Sequence, residues 1–210
     1  MHFNTTIAVL GGTGKSGKFV VHELIRQNIP FRILLRDPAS YNLPAGEIVQ
    51  GDVRDPEAVS KVSEGCTAIV STLGQPQGES SIFSQATRNV LAAMRTRKIN
   101  RYIVTTGLNV DTPLDKKGPV TRAGTNWMKE HYPETTKDKQ LEYELLAASD
   151  VDWTLVRLPL IGLTEESRPV RTSLEDCPGT GIRAGDLARF LIRQLVDTTY
   201  LRSAPFVAEI

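Results

Sequence analysis

Apolar positions along this chain run in two alternating periods. Short apolar-centred runs of four or five residues recur at 6–10, 31–35, 46–50, 68–71, 101–105 and 153–157. Apolar-centred runs of that length read as short strands. Between them the period lengthens to that of a helix. Val21, Leu24 and Ile25 stand at i, i+3 and i+4, and Phe83, Ala86, Val90 and Met94 share one face of the segment 82–97. Leu187, Ala188, Leu191 and Leu195 repeat the pattern near the end of the chain. Asp55 followed by Pro56 marks another helix start, the first as N-cap and the second with φ already set for the first turn. A helix over 137–148 and a short strand at Phe206-Val207 complete the series. Strands alternating with helices predict an α/β fold built on a doubly wound, mostly parallel sheet, in one domain over 1–210.

The pattern lapses once, between Leu108 and Thr136. A polar stretch at 111–119 is followed by Arg122, Trp127, Met128, His131 and Tyr132. An irregular insertion after a parallel strand lies at the sheet edge where ligands bind, so 108–136 is expected to be a small substrate-side lid. Trp127 and Tyr132 either stack on a flat ligand or anchor the insertion to a small core of its own. His131 reads as a surface residue, and 164–181 is a second, less specific candidate for the same edge.

The chemistry is concentrated where the first strand ends. Gly11-Gly12-Thr13-Gly14-Lys15-Ser16-Gly17 runs from strand to helix with glycines at a three-residue interval. Gly11 permits a tight turn, Gly14 a close backbone approach to a pyrophosphate, and Gly17 a close packing of helix on strand; the helix N-terminus directs N–H groups at the anion. Gly14-Lys15-Ser16 imitates the end of a nucleoside-triphosphate loop. That loop requires a glycine five places before Gly14, where this chain has Val9 inside the strand. In a dinucleotide fold the end of the second strand meets the adenosine ribose. Arg36 stands there, followed by Asp37, which predicts NADPH in preference to NADH because a guanidinium matches a 2′-phosphate. The other strand ends offer small or polar residues for a cofactor to approach: Asp52-Val53, Leu73-Gly74, Thr105-Thr106-Gly107 and Leu158-Pro159-Leu160.

Composition narrows the field further. The 210 residues are 40% hydrophobic and 23% charged with a net charge of +1, which gives no electrostatic case for nucleic acid or an anionic membrane. No run approaches bilayer length, and Met1-His2-Phe3-Asn4 does not read as a signal peptide. Cys66 and Cys177 lack metal-ligand spacing, so no metal site is expected and free thiols in a reducing cytoplasm are the economical reading. The expected partner is a small planar molecule, the expected state a monomer or small homo-oligomer.

Together these segments identify a resemblance. With Thr87-Arg88-Asn89-Val90 and 152–159, they resemble the atypical short-chain dehydrogenase/reductases, and within them the biliverdin reductase B / NADPH-flavin reductase group and its NmrA-like relatives. The resemblance implies that Thr13, Gly14, Lys15 and Ser16 hold the pyrophosphate and Arg36 the 2′-phosphate. Asp52 and Val53 would flank the adenine and Leu73 and Gly74 the ribose path. Thr105, Thr106 and Gly107 would border the nicotinamide, with Leu158 and Pro159 opposite. The chain also departs from the pattern. The Tyr-x-x-x-Lys pair of the superfamily maps to Thr135 and Lys139, so the tyrosine acid is missing. Gly107 and Leu160 replace the serine and histidine of tetrapyrrole-reducing relatives, and Ser40 replaces a second basic residue. The expectation is an NADPH-dependent reductase that passes hydride to a flavin- or quinone-like acceptor, with Lys139 and Thr106 as the candidate catalytic side chains. The alternative is a non-catalytic, NmrA-like sensor of NADP redox state.

Overall fold

A computed structural model describes residues 6–43 and 45–210, the side chain of Ser40 excepted. The readings at Met1-His2-Phe3-Asn4 and at the Ser40 side chain lie outside the described residues. The first half alternates strand and helix except between its second and third strands, which are joined by a short 3-10 turn: β1 (Thr6–Leu10), α1 (Gly17–Arg26), β2 (Phe31–Leu35), β3 (Glu47–Gln50), α2 (Pro56–Val62), β4 (Cys66–Ser71), α3 (Phe83–Arg97) and β5 (Arg101–Gly107). Two helices follow, α4 (Pro119–His131) and α5 (Pro133–Ala147), and then β6 (Asp152–Leu158). The short strands β7 (Leu160–Gly162), β8 (Val170–Ser173) and β9 (Gly181–Arg183) precede α6 (Ala184–Arg193) and β10 (Phe206–Glu209).

The main sheet has the order β3-β2-β1-β4-β5-β6-β10-β8, parallel except for β8, which runs antiparallel to β10. β7 and β9 form a separate parallel pair. Strand pleat divides the core into two layers. Ala8 and Leu10 point with Ile69, Tyr102 and Leu155 toward α2, α3 and α5, while Ile7 and Val9 point with Val70, Ile103 and Val156 toward α1 and α6. The chain leaves β1 in one direction and β4 in the other, so the loops after these neighbouring strands diverge and open a crevice at their carboxyl ends.

Two expectations need adjustment. The stretch read as irregular contains α4, thirteen residues long with only Thr121 and Thr125 buried. This helix turns hydroxyls to the core and leaves its apolar positions Val120 and Trp127 exposed. α5 begins at Pro133 rather than 137, with proline in its first turn and Glu134 beside the positive end of the helix dipole.

The front of the insertion is bolted to the sheet. Arg157, on β6 and fully buried, lies 3.5 Å over the Phe206 ring, donates to the Ala204 and Leu174 carbonyls at 2.8 and 3.1 Å, and pairs with Asp115. Burial pushes its pKa down while Asp115 opposes the shift. Lys117 donates to the Leu108 and Val110 carbonyls and to Asp111 at 2.9, 3.1 and 2.6 Å.

Candidate functional site

A cleft of about 710 Å³ opens over the carboxyl ends of β1, β2, β4, β5 and β6. Its floor at the first turn is made by Gly11, Thr13, Gly14, Lys15 and Ser16. Gly11 adopts φ +77°, and a Cβ there would come within 2.9 Å of the Thr72 carbonyl. Gly17 does not line the cleft; a Cβ on it would run into the Gly11 carbonyl and reach 2.7 Å from Thr72 Oγ1, so it sets how closely α1 approaches the strand ends. Ser16 precedes α1 without making a side-chain cap, and the first turn holds no acidic residue. The positive end of α1 therefore lies at the cleft uncompensated by a side chain, with the Lys18 and Phe19 amides donating to the Gly14 and Ser16 carbonyls, and a positive helix end suits a pyrophosphate.

At one end of the cleft lie Arg36, Asp52 and Val53. Arg36 donates from Nη1 to Glu79 Oε1 at 2.8 Å. Asp37 accepts from the Ala39 N–H at 3.0 Å and so caps the short turn after β2. The Asp52 carboxylate accepts from the Arg54 backbone N–H at 2.8 Å and from Arg54 Nη1 at 3.1 Å. Asn89 donates to the Val53 carbonyl at 2.9 Å, which ties the 51–54 turn to α3.

Leu73 and Gly74 lead to the other end, where Thr105, Thr106, Gly107, Leu158, Pro159 and Lys139 line the wall. Thr105 Oγ1 donates to the Ser71 carbonyl at 3.5 Å. The Thr106 hydroxyl is buried and has no hydrogen-bond partner among the described residues. Lys139 projects from α5 so that its Nζ stands 3.7 Å from the centre of the Phe83 ring. Burial pushes the ammonium below the ordinary lysine pKa, opposed by Glu142 and Asp138. Glu142, one turn further along, accepts from Thr87 Oγ1 at 3.1 Å while its Oε2 has no partner among the described residues, and burial pushes its carboxyl upward. Asp138 accepts from Ser81 Oγ at 2.6 Å and from the Phe83 N–H at 2.7 Å, capping α3. Burial raises the Asp138 carboxyl, but these bonds outweigh it and hold the pKa below the usual range.

Every candidate catalytic or cofactor-binding residue except Gly17 lines this one cleft, whereas Leu160, Trp127 and Tyr132 do not. Residues not singled out also line it, among them Arg54, Thr72, Gln75, Ile82 and Ile161. Arg54 directly follows Asp52-Val53, and a basic side chain at that strand end is its signal in the sequence. Leu160, by contrast, points away at 82% exposure, and Ile161 takes the inward place by strand alternation. No residue of 108–136 lines the cleft. Trp127 instead stacks on His131 at 4.5 Å and meets the Tyr132 ring edge-on at 5.6 Å; both Trp127 and Tyr132 are half exposed.

Sheet order, glycine turn and cleft define a dinucleotide-binding protein of the doubly wound class. The sequence profile described as NAD(P)H-binding matches residues 11–198, and the chain belongs to that family. It is 31% identical over 117 residues to eugenol synthase 1 of Petunia hybrida, a match covering 50% of this chain but only 36% of that relative's length. Its fold is shared with ChuY, an anaerobillin reductase from Escherichia coli O157:H7, at TM-score 0.80 and 17% identity over 98% of this chain and 97% of that one. A short-chain dehydrogenase/reductase from Veillonella parvula DSM 2008, in complex with NADP, superposes at TM-score 0.77 and 14% identity, covering 98% and 94% of the two chains. Among the described residues no helix is long and apolar enough to cross a membrane.

Proposed function

We propose that the protein is an NADPH-dependent reductase, of the biliverdin reductase B / flavin reductase kind, acting on a planar electron-poor acceptor such as a flavin or quinone. The observation that carries this reading is that Lys139, whose ammonium is desolvated, and Thr106, whose hydroxyl has no partner among the described residues, both line the cleft, with Thr135 where an acid tyrosine would stand. Gly11, Thr13, Gly14, Lys15 and Ser16 would hold the pyrophosphate, Arg36 the 2′-phosphate, Asp52 and Val53 the adenine, and Leu73 and Gly74 the ribose. The glycine turn, which a Cβ would obstruct, fits such a group. The bound nicotinamide would supply hydride to the acceptor.

This chain's own residues do the rest. Thr106 borders this wall with a buried hydroxyl that has no partner among the described residues, and a turn of that hydroxyl toward the cleft would let it donate to an oxygen or nitrogen bound there. Lys139 places positive charge beside the negative charge that develops on the acceptor, in surroundings that weaken it less than water would. Thr105, Gly107, Leu158 and Pro159 shape the pocket and keep water out. A flavin or quinone is protonated by solvent once reduced, so the missing tyrosine does not block the reaction. A ketone would be less well served. The insertion 108–136, anchored through Arg157 and Lys117 and contributing no residue to the cleft lining, would act as the substrate-side lid. The buried Cys66 thiol, pushed up to about 11 by desolvation, suits a structural role in a reducing cytoplasm.

The test is NADPH oxidation by the purified protein with FMN and with a simple quinone, against a control without protein. Saturable turnover with either supports the reductase. Tight NADPH binding without turnover favours the second reading, a nucleotide sensor, for which Thr135 in the tyrosine position is the supporting observation.

A further inference from the structure

Glu79 puts a carboxylate where the nucleotide reading calls for a phosphate. Its Oε1 accepts from Arg36 Nη1 at 2.8 Å, and its Oε2 accepts from Arg54 Nη2. Arg36 comes from the end of β2, Arg54 from the turn after β3, and Glu79 from the segment after β4, so three strand ends converge on one ion cluster. Asp52 completes it, gripping Arg54 by main chain and side chain. Both arginines line the cleft.

We propose that Arg36 and Arg54 together form the specificity site for the cofactor's 2′-phosphate, and that Glu79 is its built-in competitor, which the phosphate must displace. The inference deepens the NADPH reading and rests on it. Two guanidiniums face two carboxylates, so the cluster is balanced. A 2′-phosphate carries about 1.5 to 2 negative charges and three acceptor oxygens, more than one carboxylate offers, and it suits two guanidinium forks from different strands. A 2′-hydroxyl brings neither charge nor enough acceptors to open the cluster. Discrimination against NADH thus has two sources: what the phosphate gains from the arginines, and what the hydroxyl cannot break. The two guanidiniums also hold the Glu79 carboxyl below the usual carboxylate range, which keeps it an anion. Displacement needs little movement elsewhere. The segment stays tied at Gln75, whose Nε2 donates to the Glu79 carbonyl at 2.8 Å, and at Ser81, which bonds Asp138.

The experiment is a set of dissociation constants, by calorimetry, for NADPH, NADH, 2′,5′-ADP and 5′-AMP with the wild type, Glu79→Gln and Arg54→Met. Thermal melts confirm that each variant folds. Glu79→Gln is expected to tighten 2′,5′-ADP and NADPH about five- to tenfold, the loss of two part-exposed ion pairs that the phosphate otherwise breaks, with 5′-AMP and NADH unchanged. Arg54→Met is expected to weaken the two phosphate-bearing ligands about tenfold and spare the other two. A Glu79→Gln variant that binds all four ligands as before, or all four more weakly, overturns the competitor. An Arg54→Met variant with normal 2′,5′-ADP affinity overturns the second phosphate ligand. Equal affinity of the wild type for 2′,5′-ADP and 5′-AMP would instead strike the NADPH reading itself, and Glu79→Gln then separates the two: a new phosphate preference in that variant keeps the competitor, and none removes both.

Discussion

Lys139 and Phe83 are stacked, the ammonium nitrogen of one 3.7 Å from the ring centre of the other. The contact fixes the lysine across the wall of the cleft, where a ring face replaces part of its lost hydration. Lys139→Met is expected to lower turnover with a flavin or quinone by about tenfold to a hundredfold. Because burial lowers its pKa, the ammonium is lost as pH rises at a lower value than for an ordinary lysine. The wild-type rate should fall along that limb. Lys139→Arg, whose charge does not titrate there, should flatten it. Steady-state kinetics across pH check both.

Glu142 gives a pH signature in stability. Its folded pKa is raised by burial, so the native state holds this proton more tightly than the unfolded chain does. Stability contributed by the neutral form is complete below the unfolded pKa and is lost as pH rises through the folded one. Glu142→Gln cannot titrate. Its urea midpoint should gain on that of the wild type as pH rises from the ordinary glutamate range upward, and parallel curves would assign the pH dependence to other groups.

Arg157 and Asp115 form a buried pair across the sheet edge. Removing Asp115 strands a guanidinium that has no exposure, so Asp115→Ala should cost about 3–5 kcal/mol. Exchanging both for apolar residues of similar volume should cost much less. Urea unfolding of the single and double variants measures the difference.

Gly17 tests the packing of the first helix. A methyl group there meets the Gly11 carbonyl and Thr72 Oγ1. Gly17→Ala should lose about 1–3 kcal/mol of stability and displace the phosphate-binding turn, weakening NADPH about tenfold or more. Thermal melts and a binding titration would report the two effects separately.

The first turn was readable because its chemistry is local. Glycines at a three-residue interval between an apolar strand and a helix have few uses, and Gly11 and Gly17 both stand where a side chain would collide with backbone. Arg36 was readable for a similar reason: the end of the second strand falls in a known place once the first turn is known. Thr105 and Thr106 followed from a strand end, and Lys139 from the resemblance to the Tyr-x-x-x-Lys pattern. Helix α4 did not, since its buried residues are threonines, and neither did β7, β8 and β9, three or four residues each.

The amino-acid sequence by itself determined the strand–helix alternation, the glycine turn and the residues at the carboxyl ends of the strands. Those features depend on neighbours a few places away, where sterics and periodicity act. Only the tertiary structure decided what each charge faces. Glu79 meets Arg36 and Arg54 across 43 and 25 positions, and Arg157 meets Asp115 across 42. Ion pairs and burial are set by which strand ends the sheet order brings together, and Coulomb energy depends on that distance in space rather than on separation along the chain.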